Sequence, residues 1–400
     1  MAEIGLDGRA GTPARAARLR PRIAADTTRA ALLSMSEAAA IAGDWAELGE
    51  RAAEDNHFFS PDAVLAAAAH FGVAVRVAVV RDADGSLIAA APVTLTRLGH
   101  VASAIRVWSH DYGPLGVPLV DAGRIDRGVR GLLDQVVPAG TCLVIPDLPL
   151  DGPVAAAIRR AAAVDGRPVA AVGAQERAIL DRVDGADLRA GLPGRRRKEF
   201  ARQMRRLADL GTVTLESVTD ADAAMSRLEE FMALEASGWK GRGHTALVSS
   251  PSTAAFARAV VQARAAHGAV RIDALRLDGR PLAMLVSFTA GRTAWTWKIA
   301  YAEAYARFSP GAQIMLEVAR NLFADGRVQR IDSCAAAHHP MIDHLWKGRL
   351  AIGTLVVGPS GGGVAYGLGL GILRAETGAR DLARRLRGRL QPHRHKEHSA

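Results

Sequence analysis

Cysteine is almost missing from this chain of 400 residues: only Cys142 and Cys334 are present. Two thiols cannot build the disulfide framework of a small secreted fold, and so low a content fits a reducing compartment. No run approaches the roughly 18–20 apolar residues that a membrane span requires. The Arg- and Ala-rich opening residues also lack the apolar segment of a secretory signal. These absences predict a soluble, cytoplasmic protein. What is present is a hydrophobic content of 49%, enough for a sizeable core and, at this length, for two domains rather than one.

The net charge of +10 is unevenly placed. Residues 1–30 hold six Arg against Glu3, Asp7 and Asp26, a balance of +3. Residues 195–206 hold six Arg and Lys198 against Glu199, a balance of +6. Residues 374–400 hold seven Arg and Lys396 against Glu376, Asp381 and Glu397, a balance of +5. The rest of the chain is therefore mildly acidic, near −4. Such basic runs are ordinarily solvated surface; the other readings are an anion site or contact with an anionic membrane or acidic partner.

Along the chain, residues 1–34 read as a disordered leader. Helix 61–71 opens at Pro61 and closes at Gly72. Strands 73–81 and 87–95 meet at Asp84-Gly85, a hairpin turn. Helix 124–137, strand 142–145, helix 153–164 and strand 169–172 complete a first unit ending near residue 185. A second unit, 186–360, opens with the basic helix 195–210 and continues through strand 212–218 and helix 220–235. It then repeats an earlier pattern: helix 251–267 from Pro251 to Gly268, then strands 269–277 and 281–289 around Asp278-Gly279. One inserted residue aligns the two Asp-Gly turns, which predicts a duplicated helix–hairpin unit. Residues 361–400 read as a Gly-rich linker and a basic amphipathic helix, too short in its apolar part to span a bilayer. That helix could dock on anionic lipid or on its own domain.

Only the second copy is followed by a Ser-Pro-Gly helix entrance, in the stretch WTWKIAYAEAYARFSPGAQIMLEVA (295–319). Ser309 suits an N-cap that accepts from a first-turn amide, Pro310 suits the first helical position, and Gly311 permits close approach. Such a strand-to-helix junction is a ready anion site, with Arg307 and the amides of Ser309 to Gln313 as its ligands, or else a well-capped helix with a solvent-facing Arg. Trp295 and Trp297 share one face of the strand, for the core or for a groove. Asp332 ends a predicted strand beside this entrance, where open α/β sheets place ligands. Asp332, His338 and His339 can move protons near neutral pH; the alternatives are a capping Asp and solvated imidazoles. Cys334 as nucleophile, a metal on His338, His339, Asp343 and His344, and Trp346 with Lys347 closing over a phosphate are further options.

The basic helix with Arg205-Arg206-Leu207, the segment LEASGWK (234–240), the block YAEAYARFSPG (301–311), Ile331-Asp332-Ser333 and HLWK (344–347) together resemble the GNAT-related acyltransferase domain of CelD/BcsL-type proteins, which are linked to cellulose and exopolysaccharide synthesis. The resemblance spans about 186–358 and implies an α/β protein with mixed sheets and two tandem GNAT-like domains, the first non-catalytic. It implies transfer from acetyl-CoA or another acyl-CoA, without a metal, to a glycan, envelope precursor or small amine. In that fold the pantetheine lies along a splayed strand and the pyrophosphate on the next helix N-terminus. The residues so implied are Arg307, Ser309, Gly311, Ala312 and Gln313 for CoA, and Trp239, Trp297, Tyr301, Tyr305 and Lys347 for the acceptor. Asp332, His339 or His338 would handle the proton. The phosphate motif is one residue longer before Gly311 than the family's Arg/Gln-x-x-Gly-x-Gly/Ala. Fem-type aminoacyl transferases share the tandem arrangement, so an aminoacyl-tRNA donor is the alternative, and a non-catalytic adaptor of a polysaccharide-synthesis complex is another. Nucleic acid is otherwise not an expected partner, and the expected location is cytoplasmic, peripheral to the inner membrane.

Overall fold

The computed structural model describes residues 28–183, 191–324 and 326–390. Its frame is a mixed sheet of thirteen strands. The first seven are β1 (Arg29–Leu33), β2 (Arg76–Arg81), β3 (Leu87–Leu98), β4 (Ala102–Val107), β5 (Leu119–Val120), β6 (Cys142–Pro149) and β7 (Val169–Asp181). The rest are β8 (Val213–Val218), β9 (Val270–Leu277), β10 (Arg280–Ala290), β11 (Thr293–Tyr301), β12 (Arg330–Asp332) and β13 (Gly348–Val357). They lie in the order β1-β2-β3-β4-β6-β13-β7-β12-β11-β10-β9-β8, with β5 on β3 outside this path.

The two ends of the sheet are built alike. β1-β2-β3-β4 and β8-β9-β10-β11 are antiparallel runs, and each continues into one parallel partner, β6 or β12. Each hairpin is preceded by a Pro-initiated helix, Pro61–Phe71 or Pro251–Ala265, and the two helices pack together with the Phe71 and Phe256 rings 4.9 Å apart. In the second hairpin Asp278 and Gly279 both have positive φ, 48° and 78°, the two-residue turn that suits strand twist. The first hairpin is one residue longer and shifts register at Val80/Arg81, with Gly85 alone at positive φ. The second hairpin shifts register too, at Pro281/Ala283, so the single-residue offset between the two sequences lies in the longer first turn.

The centre departs from simple tandem repetition. β13 pairs with β6 of the first half, β7 pairs with β12 of the second, and β7 and β13 pair with each other along nine register positions from Gly348↔Ile179 to Val357↔Val169. Each half has given its last strand to the other. β7 is accordingly much longer than the strand expected at 169–172, because its second part builds the other half's sheet.

Layers follow from alternation along the strands. In the second half, helices Ala221–Ser237 and Pro251–Ala265 cover the face of Ile272, Ala274, Phe288, Trp295 and Trp297. Helix Pro310–Phe323 covers the opposite face, with Leu275, Leu285 and Ala294. In the first half, the C-terminal helix Val364–Leu390 seats Tyr366 and Leu370 on Ala102, Ala104, Cys142 and Val144. The halves also share core: His57 of the first stacks on Phe288 of the second at 4.0 Å, and burial holds its imidazole well below the ordinary histidine value.

Three local expectations change. Residues 29–33, assigned to the leader, form β1 on the edge of β2, while 1–27 lie outside the described residues. Helix 124–137 is α-helical over Ile125–Gly131 and widens to a π-turn over Leu132–Val136. The Gly-rich linker is helical from Val364, because glycine is what the packing needs: a Cβ on Gly369 would lie 2.5 Å from the Leu98 carbonyl oxygen. Because the last strands are exchanged, the halves should unfold together. Urea denaturation followed by far-UV circular dichroism and by tryptophan fluorescence should give one coincident transition. Two separated transitions would mean that the halves are independent.

Candidate active site

β11 organises the site. It pairs with β12 only at Thr293, Trp295 and the residue between them, so from Thr296 to Tyr301 that edge has no neighbouring strand among the described residues. On its other edge the register with β10 jumps from Ser287↔Thr296 to Val286↔Lys298, leaving Trp297 as the extra residue of a β-bulge. The bulge turns Trp297 and Lys298 to the same face. Trp297 packs on Phe256 and Phe288, and its indole N–H donates to the Tyr112 carbonyl at 2.9 Å. Lys298 places its Nζ 4.5 Å from the centre of the Tyr112 ring. Tyr112 belongs to the first half, so that half forms a wall of the site.

At the far end of β11 a 3-10 turn, Glu303–Phe308, leads into helix Pro310–Phe323. Ser309 is the N-cap by position, but it is left-handed (φ 51°, ψ 47°) and its hydroxyl caps nothing, contrary to the expected side-chain cap. Its carbonyl instead accepts from the amides of Ala312 and Gln313, each at 3.0 Å. A non-glycine residue held in this region is locally strained, and such strain concentrates at functional turns. A Cβ on Gly311 would sit 3.6 Å from Tyr301 Cδ1 and from Met341 Sδ, within the space beside the unpaired edge of β11. Gln313 is buried and donates to the Phe200 carbonyl at 3.0 Å, tying this helix to the basic helix Gly194–Ala208. The contact brings two separate sequence signals together. Arg195, Arg197, Lys198, Arg205 and Arg206 are exposed on the basic helix, and Arg307, stacked 4.8 Å over Phe308, is exposed at the entrance. With the Ala312 and Gln313 amides turned back on Ser309 and no N–H on Pro310, the Gly311 amide is what the first turn can offer an anion; the exposed cations, without ion pairs among the described residues, supply the rest.

The groups expected to move protons are mostly committed elsewhere. Asp332 is 2% exposed; one carboxylate oxygen takes Arg177 at 3.2 Å and the other accepts the Cys334 amide at 2.8 Å. Arg177 in turn donates to the Pro114 carbonyl at 2.7 Å. His339 uses Nδ1 to accept from the Met341 and Ile342 amides, both at 3.3 Å, and burial lowers its pKa. His338 is exposed and left-handed (φ 61°). Burial and the Asp332 charge raise the Cys334 thiol well above the usual range, which suppresses the thiolate a nucleophile requires. Among the described residues no group of three or more His, Cys, Asp or Glu is placed to hold a metal. Trp346 is core and Lys347 is exposed.

The residue missed in the sequence is Lys298. Among the described residues it has no hydrogen-bond or ion-pair partner, only the Tyr112 and Trp297 rings. Burial first, and then neighbouring Lys240, lower its pKa, against weaker pulls from Glu235, Cys334 and Asp111. Lys240 is fixed by buried Glu235 at 2.9 Å and by the Ile299 carbonyl at 2.8 Å. Trp239 stands exposed at the rim, and its amide donates to Glu303. Tyr301 and Tyr305 are partly buried near the helix entrance. A cavity of ≈ 660 Å³ opens elsewhere, between the halves near Asn56, Arg264, His267 and Gly291. It contains none of these residues and lies at the other end of β10, so size alone does not mark the reacting centre.

A strand that parts from its parallel neighbour, bulges, and runs on to a helix N-terminus is the working geometry of a GNAT-type acyltransferase. Residues 194–340 match the family model for an acetyltransferase (GNAT) domain. No curated protein matches. Among solved structures, FemX is 9% identical over 83% of this chain and 98% of its own, with a TM-score of 0.53. The C-terminal domain (DUF2156) of a protein described as a lysylphosphatidylglycerol synthetase from Agrobacterium fabrum is 12% identical over 85% and 96%, at 0.51. A conserved protein of unknown function from Bacteroides thetaiotaomicron is 11% identical over 82% and 98%, at 0.50. At such identities these likenesses describe the fold, and they extend it over both halves.

Arg177 and Asp332 allow a direct test of this frame. Arg177→Met strands a buried carboxylate and should cost about 3–5 kcal/mol in urea denaturation. Adding Asp332→Leu should recover part of that loss. Equal stability of the single variant and the parent would mean that the pair does not hold the site together.

Proposed function

We propose that the protein transfers an acyl group, acetyl foremost, from CoA to an amine or hydroxyl of a glycan or envelope precursor. This is the role of CelD/BcsL-type proteins, carried out in the cytoplasm or beside the inner membrane. The observation that carries the reading is the convergence of a bulged, half-unpaired strand with a helix start beside exposed arginines and a half-buried lysine that has no ion-pair partner among the described residues. Arg307 and the exposed arginines of Gly194–Ala208 draw in and hold the phosphates, with the Gly311 amide at the helix start beside them. The space along Thr296–Tyr301 accepts an extended arm. Backbone N–H groups freed at the bulge are suited to polarise a carbonyl. The thioester supplies an activated acyl carbon; this chain's part is to position the acceptor against it and to remove the acceptor's proton. Lys298 is the base in this reading: burial lowers its pKa, and it faces the aromatic wall of Tyr112 and Trp297. Asp332 then acts as a fixed anchor. The exposed indole of Trp239 at the rim supports a sugar-bearing acceptor.

A Fem-type aminoacyl-tRNA donor is the second reading. The exposed arginine row beside the helix entrance and the likeness in fold to FemX favour it.

Calorimetry with acetyl-CoA separates the two. Binding should be measurable in the parent, kept in Gly311→Ala, whose Cβ meets only ordinary contacts, and lost in Gly311→Glu, which puts a carboxylate at the anion position. No heat at millimolar acetyl-CoA, together with RNase-sensitive activity that falls steeply with salt, would favour the RNA donor. A second prediction concerns pH. The neutral amine is the active form and its pKa is lowered, so kcat/KM should rise above neutral pH and level off below the ordinary lysine value of 10.5. Lys298→Met should lose that rise and about 10²–10⁴ in kcat, with little change in CoA affinity. A pH profile identical in the parent and in Lys298→Met would place the base elsewhere.

A further inference from the structure

The C-terminal helix Val364–Leu390 has 27 residues and is about 40 Å long at the usual helical rise. One side is fastened. Tyr366 and Leu370 are buried against the sheet, and Gly369 lies backbone to backbone with Gly99, where a Cβ on Gly99 would be 2.3 Å from the Gly369 oxygen. Thr377 lies beside Gly173, and His100 meets Glu376 at 3.1 Å. These contacts fix the rotation of the helix and decide what faces outward.

What faces outward is apolar. Val364, Leu368, Ile372, Leu382 and Leu386 are 81, 59, 36, 59 and 48% exposed. At 100° per residue they fall within an arc of about 80°, with the exposed Ala375 and Ala379 between them. They therefore form one stripe along the helix rather than scattered surface residues. Charge is divided along the same helix. Residues 364–373 contain no charged side chain, whereas 374–400 carry seven Arg and Lys396 against three acids, a balance of +5.

We propose that this helix docks the protein on an anionic lipid bilayer, lying in the interface with the stripe among the acyl chains and the arginines at the phosphate level. Charge complementarity selects this occupant. A second copy brings only more of the same positive charge and neutralises none of the +5, whereas an anionic leaflet does. Among the described residues no helix is long and apolar enough to cross a membrane, so the attachment is peripheral. The proposal is independent of the acyl donor.

The test is co-sedimentation of the full chain with vesicles of equimolar phosphatidylglycerol and phosphatidylcholine, and with vesicles of phosphatidylcholine alone. The parent should bind the anionic vesicles and only weakly the neutral ones, and added salt should weaken the binding. Leu368→Glu/Leu382→Glu changes two outward positions and should bind at least about tenfold more weakly while keeping its far-UV circular dichroism and thermal midpoint. Absence of binding to anionic vesicles, or equal binding by parent and variant, overturns the proposal. So does a concentration-dependent dimer of the parent that the variant lacks, since the stripe would then be an interface between copies.

Discussion

The exchange of β7 and β13 is the constraint on which the rest of the structure depends. Each strand is covalently part of one half and hydrogen-bonded into the sheet of the other. Arg177 shows what this does for function. It rides on β7, reaches Asp332 at the end of β12, and also holds the Pro114 carbonyl of the loop that carries Tyr112. One first-half side chain thus fixes both the exit of the second half's parallel strand and the aromatic wall opposite it. Removing either charge leaves the other buried and uncompensated, which costs far more than a surface pair.

The duplication also assigns different work to two similar units. Both halves contain one parallel pair, but only the second follows its fourth strand, β11, with a Ser-Pro-Gly entrance, against which its opening basic helix packs. The first half contributes a surface: Tyr112 beneath Lys298, and the sheet face on which the C-terminal helix rests. In the proposed function its part is to complete its neighbour's site.

Much of this was legible in the residues, and the failures have physical causes. The Asp-Gly turns, the Pro-to-Gly helices and the helix entrance are local signals, and all lie where expected. Strand exchange is non-local: nothing within 169–181 tells which sheet the strand will join. Lys298 was hidden by strict alternation, which puts it opposite Trp297 and on the face of Thr296. The bulge reverses that assignment, and bulges leave little trace in sequence. A compositional signal was available all the same. Of 51 basic residues only five are lysine, at 198, 240, 298, 347 and 396. In a chain that otherwise chooses arginine, a lysine flanked by apolar residues is a group whose charge can be adjusted, which a guanidinium resists. The Asp332 carboxylate misled for the opposite reason: its position was right, but its oxygens belong to Arg177 and a turn.

The position of β13 has a consequence for biosynthesis. The slot between β6 and β7 is filled by residues 348–357, which leave the ribosome long after every other strand of the first half. Until then the first half must wait with two open strand edges, the kind of surface that recruits other chains. The protein therefore commits to its native sheet late and in one event, and the order in which it is made sets when it becomes safe from aggregation.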